Sequence, residues 1–90
     1  MGSYHVYILR CADGSLYTGC TKDMGRRVAE HLAGKASKYT RSRLPVTICY
    51  TESAQDRSRA LRREAEIKRM SRGEKLLICG GTSKPKQSSR

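Results

Sequence analysis

Short runs of apolar residues, separated by polar and turn-forming residues, predict three β-strands. Residues 4–10 (YHVYILR), 15–21 (SLYTGCT) and 46–52 (VTICYTE) are rich in β-branched and aromatic side chains, a composition typical of strands. Asp13 and Gly14 lie between the first two runs and are a strong turn signal, so these two strands should form a β-hairpin.

The length of the hairpin loop decides whether Tyr7 and Tyr17 share a face of the sheet. A two-residue loop pairs Tyr7 with Cys20 and places the two tyrosines on opposite faces. A three-residue loop over residues 12–14, with Gly14 in a left-handed conformation, places them on the same face. The sequence is compatible with both registers.

The residues after the hairpin predict a helix from Asp23, a candidate N-cap, to about Ala33, with Gly34 as its C-terminal stop. The apolar positions expected to form its buried stripe are Met24, Val28 and Leu32. Arg27 and His31 are four residues apart on one flank of that stripe. There they should be neither fully buried nor fully solvated, which suits groups that reach into a cleft.

Two further helices are expected in the C-terminal half. One begins at Asp56 or Ser58 and ends near Met70, and a shorter one, capped by Ser71, covers residues 72–79. The residues of the shorter helix that should cover the sheet are Leu76, Leu77 and Ile78. The β-β-α-β-α-α order predicts an α/β (α+β) fold, in which a small three-stranded antiparallel sheet is flanked by helices.

The chain is long enough for one domain with a modest core, which we place at residues 1–79. Residues 80–90 (GGTSKPKQSSR) have no periodicity and several breakers, so a basic, disordered tail is expected there. Nineteen Lys and Arg against eight Asp and Glu give a net charge of +11, which extends through the folded region as well as the tail. Such a charge favours nucleic acid as a partner over a merely soluble basic surface, an acidic protein or a membrane.

The four cysteines, at positions 11, 20, 49 and 79, have no spacing typical of a zinc site. The sequence also shows no signal peptide and no long apolar run. These features predict a protein of the reducing cytoplasm with free thiols, no structural metal cage and no membrane-spanning segment.

Glu64 is the most informative single residue. At about 100° per residue it falls near the middle of an apolar helical arc, whereas Glu66 points to the opposite, solvated side. The arc consists of Ala60, Leu61, Ala65 and Ile67. A carboxylate on a face meant for the core needs a partner, a metal or a shifted pKa. The alternative is a structural ion pair with a nearby Arg; Lys68, on the same arc, can extend its long stem to solvent without a special role.

The order and spacing of several side chains resemble the GIY-YIG nucleases. The triplets VYI at 6–8 and YTG at 17–19 look like degenerate forms of the paired motif that names the family. Arg27 falls where the family keeps a helical arginine, His31 follows in an RR-V-x-x-H pattern, and Glu64 falls where the family keeps its metal-binding glutamate. The resemblance covers nearly the whole predicted domain and is closest to the small standalone bacterial members, the YhbQ-like group.

The resemblance implies that a single divalent ion, Mg²⁺ or Mn²⁺, assists hydrolysis of a phosphodiester bond. Glu64 would hold the metal, and Arg27 would neutralise the charge that the phosphorus gains. Tyr7 or Tyr17 would take the proton from the attacking water, which requires nearby positive charge to lower a pKa of about 10 in free tyrosine. His31 would orient a tyrosine or the phosphate, or act as an alternative base. These five catalytic candidates should line one concave face.

The basic residues supply candidate contacts to the substrate. Residues 35–44 (KASKYTRSRL) interleave positive charge with one aromatic in a loop or short helical turn, as nucleic-acid-contacting loops do. The glycine of the second triplet would let the substrate backbone approach closely. The substrate-binding candidates are Gly19, Lys22, Lys38, Tyr39, Arg41 and Arg43.

We therefore expect a metal-dependent endonuclease that acts on DNA in preference to RNA, as a monomer or weak dimer. The sequence contains no recognisable base-reading element, so selection should follow nucleic-acid structure rather than sequence. One alternative is a non-catalytic nucleic-acid-binding module that retains the same fold. Another is a basic scaffold that docks on a protein partner.

Overall fold

The computed structural model describes residues 3–79 and contains three strands and four helices in that range. In chain order these are β1 (Tyr4–Arg10), β2 (Leu16–Thr21), α1 (Met24–Leu32), α2 (Lys38–Arg41), β3 (Thr47–Ala54), α3 (Arg57–Lys68) and α4 (Arg72–Ile78). The predicted fold class and element order are confirmed. Helix α2 is the short helical turn that the sequence allows, as an alternative to a loop, within residues 35–44. The tail expected at 80–90 lies outside the described residues.

The sheet has the order β2-β1-β3, and both neighbouring pairs are antiparallel. Four consecutive residues of the central strand β1, from Val6 to Leu9, are fully or almost fully buried. Because successive side chains of a strand point to opposite faces, this run requires cover on both sides of the sheet. Val6 and Ile8 pack against α3 and α4 on one face, and Tyr7 and Leu9 pack towards α1 on the other. The domain therefore has three layers, with the sheet between two pairs of helices.

The hairpin has the register that a three-residue loop gives. Tyr7 faces Gly19 and Leu9 faces Tyr17 across the β1–β2 pair. Gly14 closes the loop with a φ of 85°, a left-handed conformation that glycine adopts without strain. The side chains of Tyr7 and Tyr17 consequently lie on the same face of the sheet, the face that α1 covers.

Helix α1 begins and ends as predicted, but its buried stripe is different. Asp23 caps it by accepting a hydrogen bond from the backbone of Arg26 at 3.0 Å, and Gly34 follows it with a φ of 76°. Two expectations for this helix are wrong: Leu32, expected in the buried stripe, is 48% exposed, and His31, expected to be only partly buried, is completely buried. Residue i+7 lies only about 20° from residue i around a helix, whereas i+8 lies about 80° away. With Met24 packed on the sheet, His31 rather than Leu32 faces the interior.

The two C-terminal helices have the predicted caps. The side chain of Asp56 accepts from a backbone N–H of α3, and Ser71 forms a capping box with Glu74 at the start of α4. The expectation that Leu77 covers the sheet is wrong, because it is 78% exposed. Ile78 does pack against the core at this end of the sheet.

None of the helices within residues 3–79 combines the length and the apolar character needed to cross a membrane. The four cysteines are all free thiols in this structure.

We expect Ile67→Ala to lower the free energy of unfolding by about 2–5 kcal/mol, because Ile67 is fully buried where α3 packs on the sheet. Leu77→Ala is the matched control and should change it by less than about 0.5 kcal/mol, as for most surface substitutions. Urea denaturation followed by circular dichroism measures both. Similar losses in the two variants would contradict the packing described here.

Candidate functional site

The phenol of Tyr7 crosses strand β2 at Gly19. Tyr7 is 99% buried on the central strand, and a Cβ built on Gly19 would lie 2.6 Å from the Tyr7 hydroxyl oxygen. Only a residue without a side chain leaves this room. The space at Gly19 therefore holds the phenol of Tyr7, which is a different role from the substrate approach expected from the sequence.

The Tyr7 hydroxyl is the first member of a buried hydrogen-bonded chain. It lies 3.0 Å from Nε2 of His31, and Nδ1 of His31 lies 2.8 Å from Oγ1 of Thr40. We assign the proton of the neutral imidazole to Nδ1, because the Thr40 hydroxyl can then accept from His31 while it donates to the carbonyl of Ser37. Nε2 is then the acceptor for the Tyr7 O–H. All three side chains are buried, with two of them contributed by α1 and α2.

Burial sets the protonation of this chain. Burial first, and then the positive charge of Arg27, lower the pKa of His31 below its ordinary value. Burial, followed by the neighbouring Tyr17, raises the pKa of Tyr7 well above its ordinary value, and Arg27 offsets only part of that rise. Arg27 alone therefore does not bring the pKa of Tyr7 below that of free tyrosine, because desolvation of the phenolate is the larger effect.

The ring of Tyr17 lies between two other rings, those of His31 and Tyr39. It meets that of His31 edge-on with centroids 5.3 Å apart, and it stacks on Tyr39 at 6.0 Å. The guanidinium of Arg43 lies 3.8 Å from the centre of the Tyr39 ring, and its Nε pairs with Asp13 at 3.1 Å. Tyr39 and Arg43, two of the substrate-binding candidates, thus connect the site to the hairpin loop.

The other basic candidates lie on the surface. Lys22 is exposed, with its ammonium 5.7 Å from the centre of the Tyr4 ring. Lys38 and Arg41 are exposed on α2 and form no ion pair with any other residue in the range 3–79. All three remain available to a polyanion.

Arg27 is half-buried on α1 and borders a cavity of about 480 Å³ at the outer edge of β2. Its guanidinium pairs with Glu30 at 3.3 Å, and its charge acts on both Tyr7 and His31. The cavity crosses the edge of the sheet, because α1 lines it on one side and α3 on the other. Its lining includes the basic residues Lys22, Arg26, Arg27 and Arg57.

Glu64 approaches the same strand from the opposite face of the sheet. Glu64 shares the buried side of α3 with Ala60 and Ile67, and its side chain is 16% exposed. The expected apolar arc is wrong at Leu61 and Ala65, which are exposed, so Glu64 lies at the margin of the buried side rather than near its middle. Its Oε1 accepts a hydrogen bond from the thiol of Cys20 at 3.3 Å, and its Oε2 pairs with the ammonium of Lys68 at 2.9 Å. Burial, then the hydrogen bond to Glu64, raise the pKa of Cys20 to about 11, so the thiol stays a donor.

The catalytic candidates, which we expect to line one concave face, approach β2 from both faces of the sheet. Tyr7, Tyr17 and His31 lie on the α1 face, and Glu64 lies on the α3 face next to Cys20, the neighbour of Gly19 in β2. The two groups are close enough for the charge of Glu64 to contribute to the raised pKa of Tyr7. The two groups approach each other around the edge strand β2 at Gly19, where the strand has no side chain.

Sequence reasoning missed the contacts that Thr40, Cys20 and Lys68 make with the site. Thr40 carried a weak signal, since it lies three residues after Ser37, whose side chain caps α2. The sequence predicts only a free thiol at Cys20, and a side chain that extends to solvent at Lys68. The contact of Cys20 with Glu64 depends on the packing of α3 against β2, which no local pattern specifies, whereas Lys68 follows Glu64 by four residues on the same helix and a local pattern places the two side by side.

Within residues 3–79, no group of three or more His, Cys, Asp or Glu side chains is arranged to hold a metal ion. A metal at this site would have to rest on Glu64 with water in most other positions, which is a mode that Mg²⁺ accepts. Lys68 already occupies one oxygen of Glu64, but its side chain is 56% exposed and can move away. The donor set is therefore compatible with a hard divalent cation.

Comparison with protein families and sequences identifies relatives of the chain. The family model described as the GIY-YIG catalytic domain matches residues 3–76. A UPF0213 protein of Halobacterium salinarum is 56% identical over 72 residues, which cover 80% of this chain and 94% of that protein. A UPF0213 protein of Staphylococcus haemolyticus is 50% identical over 76 residues, covering 84% and 93%.

Two solved structures have the same fold. The solution NMR structure of a UPF0213 protein from Bacillus halodurans has a TM-score of 0.58 and 41% identity, covering 92% of this chain and 88% of that one. A solution NMR structure of a protein from E. faecalis has a TM-score of 0.59 and 35% identity, covering 97% and 95%.

We expect the imidazole of His31 to protonate only below the ordinary histidine pKa of about 6.5, and Arg27→Gln to raise that pKa by removing a nearby positive charge. NMR titration of the ring nitrogens measures both. Arg26→Gln, at the adjacent position, is the control and should leave His31 unchanged. A wild-type midpoint above 6.5, or equal midpoints in the two variants, would contradict the electrostatics described here.

The same shift has a consequence for stability. The unfolded chain takes up a proton at this histidine near pH 6.5, whereas the folded protein takes it up only at lower pH. The contribution of His31 to stability is therefore present above about pH 6.5 and decreases as the pH falls towards the folded-state pKa.

Proposed function

The chain belongs to the GIY-YIG family, to its small standalone group, and on that premise we propose that it is a divalent-metal-dependent endonuclease. Its reaction is hydrolysis of phosphodiester bonds in DNA, with selection by structure rather than by sequence. The observation that carries the proposal is the buried Tyr7–His31–Thr40 chain, which reaches the edge of β2 where Glu64 approaches from the other face.

This chain allows Tyr7 to move a proton without first becoming a phenolate. The Tyr7 hydroxyl donates to Nε2 of His31, so its own oxygen is free to accept from a water. As that water attacks phosphorus, its proton passes to the Tyr7 oxygen while the Tyr7 proton passes to Nε2. His31 becomes an imidazolium whose Nδ1–H remains bonded to Thr40. The raised pKa of Tyr7 is no obstacle to this relay, and a His31 that is neutral at pH 7 is ready to accept.

Glu64 would hold Mg²⁺ or Mn²⁺, with water completing the coordination. When bound, the ion would polarise the phosphate and stabilise the leaving oxygen. Arg27, half-buried beside Tyr7 and His31, would neutralise charge on the phosphoryl oxygens with its planar, permanently charged guanidinium. Tyr17 would hold the imidazole in place through its edge-on contact.

The cavity at the edge of β2 supports nucleic acid as the substrate. Its lining carries four basic side chains, of which Arg26 and Arg27 share the carboxylate of Glu30. Lys38 and Arg41 add exposed positive charge on α2. Phosphate contacts of this kind position a strand without reading its bases, which is why we propose structural selectivity.

A non-catalytic nucleic-acid-binding module is the second candidate function. It is favoured by one observation, that both carboxylate oxygens of Glu64 already have partners within the protein. If Lys68 and Cys20 hold Glu64 permanently, the fold would bind DNA and not cleave it.

We expect Glu64→Gln to reduce metal-dependent nicking of supercoiled DNA by roughly 100-fold or more, since several kcal/mol of transition-state stabilisation would be lost with the metal. Nicking is measured with Mg²⁺ and with Mn²⁺ on supercoiled, single-stranded and branched DNA. Glu66→Gln, on the same helix but exposed, is the matched control and should retain activity.

The outcome separates the two candidate functions. Cleavage that needs the metal and is lost only in Glu64→Gln supports the nuclease. Binding of DNA by the wild type and both variants, without cleavage by any of them, would support the binding module instead.

A further inference from the structure

A second groove lies beside the first along the outer edge of β2. It has a volume of about 250 Å³ and crosses β2 near its start, whereas the larger cavity crosses β2 near its end. The residues that line it are Leu16, Tyr17, Thr18, Tyr39, Lys68 and Lys75. Strand β2 and all helices except α1 thus contribute to one depression next to Tyr17.

Two ammonium groups share this groove. Lys75 is half-buried and forms no ion pair with any other residue of the described range. The one ion-pair partner of Lys68 among the described residues is Glu64. Two like charges in one groove repel each other, and an anion placed between them would relieve that repulsion. Tyr17 and Tyr39 supply the phenol and ring surface that commonly accompany phosphate and sugar contacts.

The geometry of the Lys68–Glu64 ion pair allows either residue to change its partner. The two residues are four apart on α3, their charged atoms are 2.9 Å apart, and the lysine side chain is 56% exposed. Because the lysine end of the pair is exposed and its long side chain can adopt many conformations, the ammonium can leave when a better partner for either group is present. Its flexible four-carbon stem keeps it within reach of the groove that it already lines.

We propose that Lys68 and Lys75 form a binding subsite for a phosphate of a nucleic-acid strand, and that Lys68 moves between Glu64 and that phosphate. In the free protein Lys68 neutralises Glu64; when a divalent cation takes Glu64, the ammonium turns to the phosphate that flanks the one being cleaved. This proposal rests on the proposed function, because that function makes Glu64 the metal ligand. Binding of metal and of nucleic acid then favour each other. A cation at Glu64 releases Lys68 for the phosphate, and a phosphate that binds Lys68 releases Glu64 for the cation.

The first experiment uses neither metal nor cleavage. Affinity for a fluorescent oligothymidylate of about 12 nucleotides is measured in EDTA for the wild type, Glu64→Gln, Lys68→Met and the double variant. Glu64→Gln should tighten binding by roughly fivefold or more, the lower end of couplings measured between sites, because Lys68 is released to the phosphate. That gain should disappear in the Lys68→Met background. Glu66→Gln measures the general effect of removing a negative charge from α3.

An equal gain from Glu64→Gln with and without Lys68 would overturn the proposal, because the effect would then be one of general charge. So would a gain no larger than that of Glu66→Gln. Since no chemistry is required, the cycle can be interpreted even if the protein has no nuclease activity. Conversely, an active nuclease without coupling would overturn only the assignment of Lys68.

The second experiment measures Mn²⁺ binding without nucleic acid, by the loss of the free-ion electron paramagnetic resonance signal. Lys68→Met should bind Mn²⁺ more tightly than wild type, because the competing ammonium is gone, and Glu64→Gln should lose binding. Lys75→Met removes the same charge from the same groove without touching Glu64, and should change Mn²⁺ affinity less. Unchanged or weaker binding in Lys68→Met would contradict the exchange of partners.

Discussion

The candidate site depends on one hydrogen bond between two buried groups, the hydroxyl of Tyr7 and Nε2 of His31. Both side chains are buried, so each depends on the other as a hydrogen-bond partner, and a buried polar group left unpaired would cost about 1–3 kcal/mol. The bond exists only because Gly19 leaves room for the phenol to cross β2. It fixes the register of the hairpin, the rotation of α1 and, through Thr40, the position of α2.

The same constraint explains why the site lies at an edge of the sheet. Both faces of the central strand are covered by helices, so an open site has to form where the sheet ends. β2 is one of the two edge strands, and at Gly19 it has no side chain to block the approach of Tyr7. The proton-handling groups reach that point from the α1 face, and the carboxylate of Glu64 reaches it from the α3 face. Two grooves lined with basic side chains continue along the edge on either side.

Features set by neighbouring residues could be predicted from the sequence, and features set by distant contacts could not. The strands, the hairpin and the caps at Asp23, Asp56 and Ser71 follow from local preferences. The burial of Glu64 follows from helical periodicity. The hairpin register depends on Tyr7 fitting over Gly19, and the burial of His31 in place of Leu32 depends on a partner nine residues away. The raised pKa of Tyr7 depends on packing that encloses the phenol, which spacing does not reveal.

The most direct test of the account is the state of His31 in Gly19→Ala. A methyl group at this position would lie 2.6 Å from the Tyr7 hydroxyl oxygen, so the phenol has to move away from the imidazole. NMR of the ring nitrogens should show that Nε2 has lost its hydrogen bond in a protein that is still folded, and metal-dependent cleavage should be lost with it. Gly25→Ala, on α1 with space for a methyl group, should preserve both. An unchanged Nε2 signal in folded Gly19→Ala would contradict the account.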